Sequence, residues 1–168
     1  MTDPVTFRYH PDPVATGSFE PASGPCPYCG VARGYVYTGP VYAIEEPDPP
    51  CPVCVADGSF AARFEAEFTD PDPLSDLADE IVDEVTRRTP GYAGWQQEQW
   101  KTHCDDAAAF LGPVGYQELL AHPEQLAWLR DDMGGDDAVR RLSKDGSPTA
   151  YLFRCLHCSV ELVDWDVD

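Results

Sequence analysis

The chain has 168 residues, of which 43% are hydrophobic and 11% aromatic, enough for one core or two small modules and too apolar for a disordered chain. Eleven Lys and Arg face 30 Asp and Glu, a formal net charge of -19. That field repels phosphates and argues against DNA or RNA binding; it fits a solvated surface or one that meets a basic protein partner.

No apolar run is long enough to span a bilayer, so no membrane insertion is expected. The start, MTDPVTFRYHPDP, has neither a basic n-region nor an apolar h-region and does not read as a secretory signal. Seven cysteines without such a signal point to the reducing cytoplasm, where paired thiols mean metal or redox chemistry rather than disulfides.

In chain order, residues 1–25 read as an extended, proline-rich segment. Phe7 and Tyr9 are placed to staple it onto a core, with a structural hydrogen bond from His10. The rival reading makes Arg8 and His10 one wall of a ligand pocket. GYVYTGPVYAI predicts a β-hairpin, Tyr35–Tyr37 against Val41–Ile44. A helix is expected from about Cys54 to Phe68, carrying Phe60, Phe64 and Phe68, with Gly58 as its weak point. LSDLADEIVDEVTRRT predicts a helix with Ser75 as N-cap, acids in its first turns and Arg87 and Arg88 at its end. Leu74, Leu77, Ile81, Val82 and Val85 line its apolar face.

Short helices are then expected over GWQQEQWKTHC, AAAFLG, GYQELLAHPEQLAWLRDDM and DDAVRRLSK, broken at Gly112-Pro113, near Pro123 and at Gly134-Gly135. Trp95, Trp100, Trp128 and Trp165 read as core aromatics. The C-terminus predicts a hairpin of Tyr151–Arg154 and Val160–Trp165.

The cysteines carry the chemistry. Cys26-Pro27-Tyr28-Cys29-Gly30 is a knuckle: two sulfurs reach one ion, and the glycine lets the backbone turn beneath them. Cys51-Pro52-Val53-Cys54 repeats the pair and runs into a helix N-terminus, which favours thiolates. Cys26, Cys29, Cys51 and Cys54 predict a closed, structural Zn²⁺ site of treble-clef-like form, supplying folding energy that a proline-rich segment lacks.

Cys155-Leu156-His157-Cys158 lies between strand-like runs, which favours a knuckle over a redox dithiol. Only Cys104 remains as a third sulfur, with His103 the favoured fourth ligand and His157 or His122 its rivals. Adjacent helical residues point about 100° apart, so both His103 and Cys104 can bind only in a loop; Asp105-Asp106 reads as the start of the following helix. Cys104 as a plain buried residue is the alternative. A missing fourth ligand would leave room for a metal-bound water.

FRYHPDP, YTGPVYAIEE, CPVCVADGSFAARF, RTPGYAGWQQEQW, HCDDAAAFLGPVGY and YLFRCLHC together resemble the CbrC family of bacterial proteins, from Phe7 to Cys158. The resemblance implies a family associated by name with colicin tolerance, hence a tolerance- or stress-related role. It carries over no catalytic residue, and it puts both the HC and CLHC pairs in recurring family text. No phosphate loop, nucleophile elbow or HExxH motif is present.

The expectation is therefore an α+β protein. A treble-clef-like four-cysteine module over residues 1–70 is followed by residues 71–168, a helical middle closed by a C-terminal β-hairpin knuckle. The leading function is a non-catalytic zinc-binding protein, with one or two Zn²⁺ and an acidic surface for a protein partner. The alternative is a metal-dependent or small-molecule-processing enzyme with a pocket near Arg8, His10 and the second metal.

Overall fold

The structure, a computed structural model, describes residues 5–168. It is α+β: short helices and three small antiparallel sheets built around three apolar clusters.

The first cluster is made within residues 7–68 and joins Phe7, Phe19, Tyr37, Phe60 and Phe68 to the buried cysteines of the first CxxC pairs. Strand β1 (Phe19–Pro21) pairs antiparallel with β2 (Tyr35–Tyr37). The predicted hairpin of β2 with Val41–Ile44 is not formed. The Tyr37 N–H donates to Pro50 O and Thr38 N–H to Ser18 O, so both flanks of β2 are taken before the chain reaches Pro40. Tyr42 instead bridges to Glu67.

The expected helix from Cys54 to Phe68 is two helices, α1 (Pro52–Ala56) and α2 (Ser59–Phe64). Gly58 separates them in the left-handed region at φ 73°, where glycine alone is unstrained. Glu65, also left-handed at φ 49°, ends α2. The helical register is lost, yet Phe60 still stacks on Phe68 with ring centroids 5.7 Å apart and meets Phe64 at 5.1 Å.

A 3₁₀ turn (Asp72–Leu74) precedes α3 (Asp79–Arg88). Ser75 is not the N-cap: its own backbone is already helical, φ -60° and ψ -21°, whereas an N-cap is extended, and Ala78 takes that place. The acids and arginines do sit at the ends that the dipole prefers. Leu74 and Val85 enter the second cluster with Tyr9, Tyr92, Trp100, Phe110 and Phe153, and Leu77, Ile81 and Val82 pack against it.

Residues 92–114 overturn the helical expectation. GWQQEQW is irregular, β3 (Thr102–His103) and β4 (Asp106–Ala107) form a tight hairpin, and Ala109–Val114 is β5. β5 joins β6 (Thr149–Arg154) and β7 (Glu161–Asp166) in a sheet of order β5-β6-β7, with an irregularity between Phe110 and Gly112. The β6–β7 hairpin is the predicted one. Helices α4 (Tyr116–Leu119), α5 (Pro123–Met133) and α6 (Asp136–Val139) pack on this sheet through Leu119, Leu126, Leu129 and Val139. Trp100 is core, but Trp95 and Trp128 are each 48% exposed.

Candidate metal centres

Both CxxC knuckles rest on the same backbone scaffold. In the first, Cys26 N–H donates to Val31 O and Gly30 N–H to Cys26 O; in the second, Cys155 N–H donates to Val160 O and Ser159 N–H to Cys155 O. The turn requires a left-handed residue after the second cysteine. Gly30 supplies it at φ 69° and Ser159 at φ 62°.

In the first centre the knuckle faces the start of α1, where Cys51 precedes the helix and Pro52 fills its first turn. This is the order of a treble clef, knuckle then helix, with the intervening strand paired to β1 rather than to a hairpin partner. Sγ of Cys26 lies 3.8 Å from Sγ of Cys54, and Cys29 lies 3.8 Å from Cys51. Four sulfurs held tetrahedrally at ~2.3 Å from one ion stand about 3.8 Å apart, whereas a disulfide brings two to ~2.0 Å. The spacing fits a shared ion and not a disulfide, and all seven cysteines are free of disulfides. Cys26, Cys51 and Cys54 are buried and Cys29 is exposed.

The second centre joins His103 and Cys104 to the Cys155–Cys158 knuckle. All four ligand atoms lie within 4.8 Å of one another. Cys104 Sγ is 3.8 Å from Cys158 Sγ, and His103 Nδ1 is 3.1 Å from Cys104 Sγ and 3.3 Å from Cys158 Sγ. The objection to adjacent ligands disappears because residues 103–104 are not helical. Cys104 and Asp105, at φ 55° and 56°, are the two-residue turn of the β3–β4 hairpin, a geometry that needs positive φ at both positions. The turn swings His103 and Cys104 toward one point.

The rival ligands lie elsewhere. His157 donates from Nε2 to Asp106 Oδ2 at 2.8 Å, while its backbone N–H points at Cys155 Sγ. His122 contacts Glu161 at 2.6 Å.

The electrostatics suit a cation. Burial raises the Cys26 thiol, but the N–H groups of Cys29, Tyr28 and Cys51 outweigh it and bring it down to about 6. Cys155 is likewise brought to about 6, led by the N–H of Cys158. Cys54 goes the other way, raised by burial and by its three neighbouring sulfurs, and Cys104 is pushed up to about 11, first by Cys158. Four thiols in the first centre, or three in the second, cannot all ionise unaided at such spacing; a dication in their midst would remove the conflict. Both tetrads could hold a metal ion, and their sulfur-rich donor sets fit zinc.

Arg8 and His10 do not form a pocket wall. His10 is fully buried, bonded through Nδ1 to Pro90 O and through Nε2 to Thr16 Oγ1. Arg8 donates to Asp106 Oδ2 at 2.7 Å and Tyr9 to Asp106 Oδ1 at 2.7 Å. Burial raises the Asp106 carboxyl, yet bonds from Tyr9 and His157 and the Arg8 charge hold it below the usual range. Asp106, read from sequence as part of a helix start, is thus the buried joint between the N-terminal strip and the second knuckle. Only the pairing of its hairpin reveals it, and the lone clue in the text is the unusual FRYH cluster that it satisfies.

Comparison with known proteins gives one consistent picture. A family model described as "Uncharacterised protein family (UPF0167)" matches residues 5–167. The chain is similar to UPF0167 protein Mb2317 of Mycobacterium bovis, 49% identical over 170 residues that cover 93% of this chain and 89% of that relative. It is also similar to UPF0167 protein PA1536 of Pseudomonas aeruginosa, 46% identical over 170 residues that cover 95% of each. No solved structure matches.

Proposed function

This chain belongs to the UPF0167 family, and from its two tetrads we propose that it is a non-catalytic zinc-binding protein whose metals fix a surface for a protein partner. One observation supports the metal reading: in each centre four protein ligand atoms lie within 4.8 Å of one another, the number that fills a tetrahedral ion. Zinc in such closed sites is structural.

The interaction reading is supported by the loop between the first two CxxC pairs. Ile44 is 95% exposed, and Glu45, Glu46 and Asp48 beside it are exposed acids. The loop is pinned on both sides, at Tyr42–Glu67 and at Tyr37–Pro50. An apolar tip ringed by acids suits a basic partner with an apolar recess. The segments resembling the CbrC family support a CbrC-like, tolerance- or stress-related role, and the free thiols support a cytoplasmic setting.

Metal content per native chain tests the core of the proposal. Two zinc ions are expected, falling to one in Cys104→Ser while Cys26→Ser removes the other. A single ion unchanged by Cys104→Ser would overturn the second centre. A photocrosslinker placed at residue 44 in the native cell should capture a basic protein, with capture falling as salt rises; salt-insensitive capture would count against the acidic surface.

A further inference from the structure

A cavity of about 400 Å³ opens beside the first metal centre and takes no part in either tetrad. Phe7 and Phe19, their rings stacked 5.9 Å apart, line it together with Tyr35 and Val53. Tyr35 and Val14, both part of the wall, keep exposed apolar surface at 39% and 44%. Val53 lies between the ligands Cys51 and Cys54, so the wall is held by the centre itself.

Arg33 completes the lining. Its Nε is buried without a hydrogen-bond partner, and among the described residues no carboxylate forms an ion pair with it. Arg63, Arg140 and Arg141 also lack an ion pair, but among the described residues Arg33 alone of the Lys and Arg has a buried side-chain nitrogen without a partner. The acid in the wall, Asp12, is engaged instead in accepting the Ala15 N–H at 3.2 Å. A desolvated guanidinium N–H without an acceptor is a standing penalty that a ligand's oxygen would remove.

We propose that this cavity is a binding site for a small aromatic monocarboxylate, its ring against Phe7, Phe19 and Tyr35 and its carboxylate on Arg33. The size falls in the range of small-molecule sites, and an apolar wall with one convergent polar group is their usual make-up. One guanidinium matches one negative charge. A phosphate or other dianion would find no second cation in the wall among the described residues and would face Asp12.

The test is a titration of ¹⁵N-labelled, metal-loaded protein with 3-phenylpropionate and, separately, with its neutral amide, 3-phenylpropanamide, at near-physiological salt. The acid should shift the amides of Phe7, Arg33, Tyr35 and Val53 at millimolar concentration or below and bind about tenfold more tightly than the amide. Arg33→Gln should erase that preference while leaving zinc content unchanged. Equal affinity for acid and amide in the unmodified protein, shifts confined to other residues, or no shifts at all would overturn the site. The acid-to-amide comparison needs no variant, so it stands whether or not Arg33→Gln folds. Zinc content is read in the same samples, which separates failure of this site from failure of the metal reading.

Discussion

At the scale of single residues, His10 has the clearest solution signature. Its ring is fully buried, makes an edge contact with Phe110 at 4.9 Å, and is held neutral. Burial lowers its pKa from the ordinary 6.5 to about 4, against a smaller raising effect of Pro90 O. The unfolded chain therefore takes up a proton at this residue near pH 6.5, while the folded one resists until about pH 4. The stability that His10 contributes is full above 6.5 and is lost as pH falls toward 4, with a ceiling of about 3 kcal/mol. Urea unfolding of the native chain and of His10→Gln across that window should give a stability difference that shrinks by roughly one proton's slope. Loss of metal ligands in acid affects both chains and cancels. A difference that stays flat from pH 7 to pH 4 would show that the ring is not held neutral.

At the scale of elements, the two knuckles are one device written in two ways. Their backbone hydrogen bonds coincide, but Gly30 fills the left-handed position without strain and Ser159 does so at a cost. Ser159→Gly should therefore stabilise the second knuckle by about 0.5–1 kcal/mol, read as a raised midpoint in denaturant. Gly30→Ser should lose a similar amount. The cysteine spacings were legible in the sequence because ligand geometry is local: two residues between sulfurs already define the turn. Ala107, Ala108 and Ala109 were not legible. Three alanines before Phe-Leu are good helix formers, yet all three are buried, Ala107 and Ala108 in the cluster of Trp100 and Tyr9, and Ala108 O accepts the Trp100 indole N–H at 2.9 Å. Burial against partners distant in sequence overrode propensity. The same substitution of strand for helix places His103 and Cys104 on a tight turn, so the grouping of His103 and Cys104 with the last knuckle was legible while the turn that brings both of them to one point was not.

At the scale of the whole molecule, residues 5–70 are tied to the rest at several places, Tyr42 to Glu98 and Phe68 to Thr86 among them. Gly91 is at the seam: Ser18 Oγ donates to its carbonyl at 2.7 Å, and its own N–H donates to Tyr37 Oη at 3.1 Å. A Cβ there would sit 1.8 Å from Phe68 O, a backbone atom that cannot turn aside. Gly91→Ala should cost at least about 2 kcal/mol, visible as an earlier thermal midpoint with both metals retained. An unchanged midpoint would mean that the seam yields easily. Another tie is the strip Phe7–His10, which sends Phe7 into the first cluster and Tyr9 into the second.

That strip also sets an order in time. Arg8 and Tyr9 close on Asp106, 98 and 97 residues away, and Asp106 is itself held by His157 from the last knuckle. On a ribosome Arg8 and Tyr9 must wait for Asp106, and Asp106 in turn for His157, while the first tetrad needs only residues 26–54. Contacts of such long sequence separation form late. A nascent chain can thus close its first tetrad and seat Phe7 in the first cluster long before the last knuckle brings His157 to Asp106.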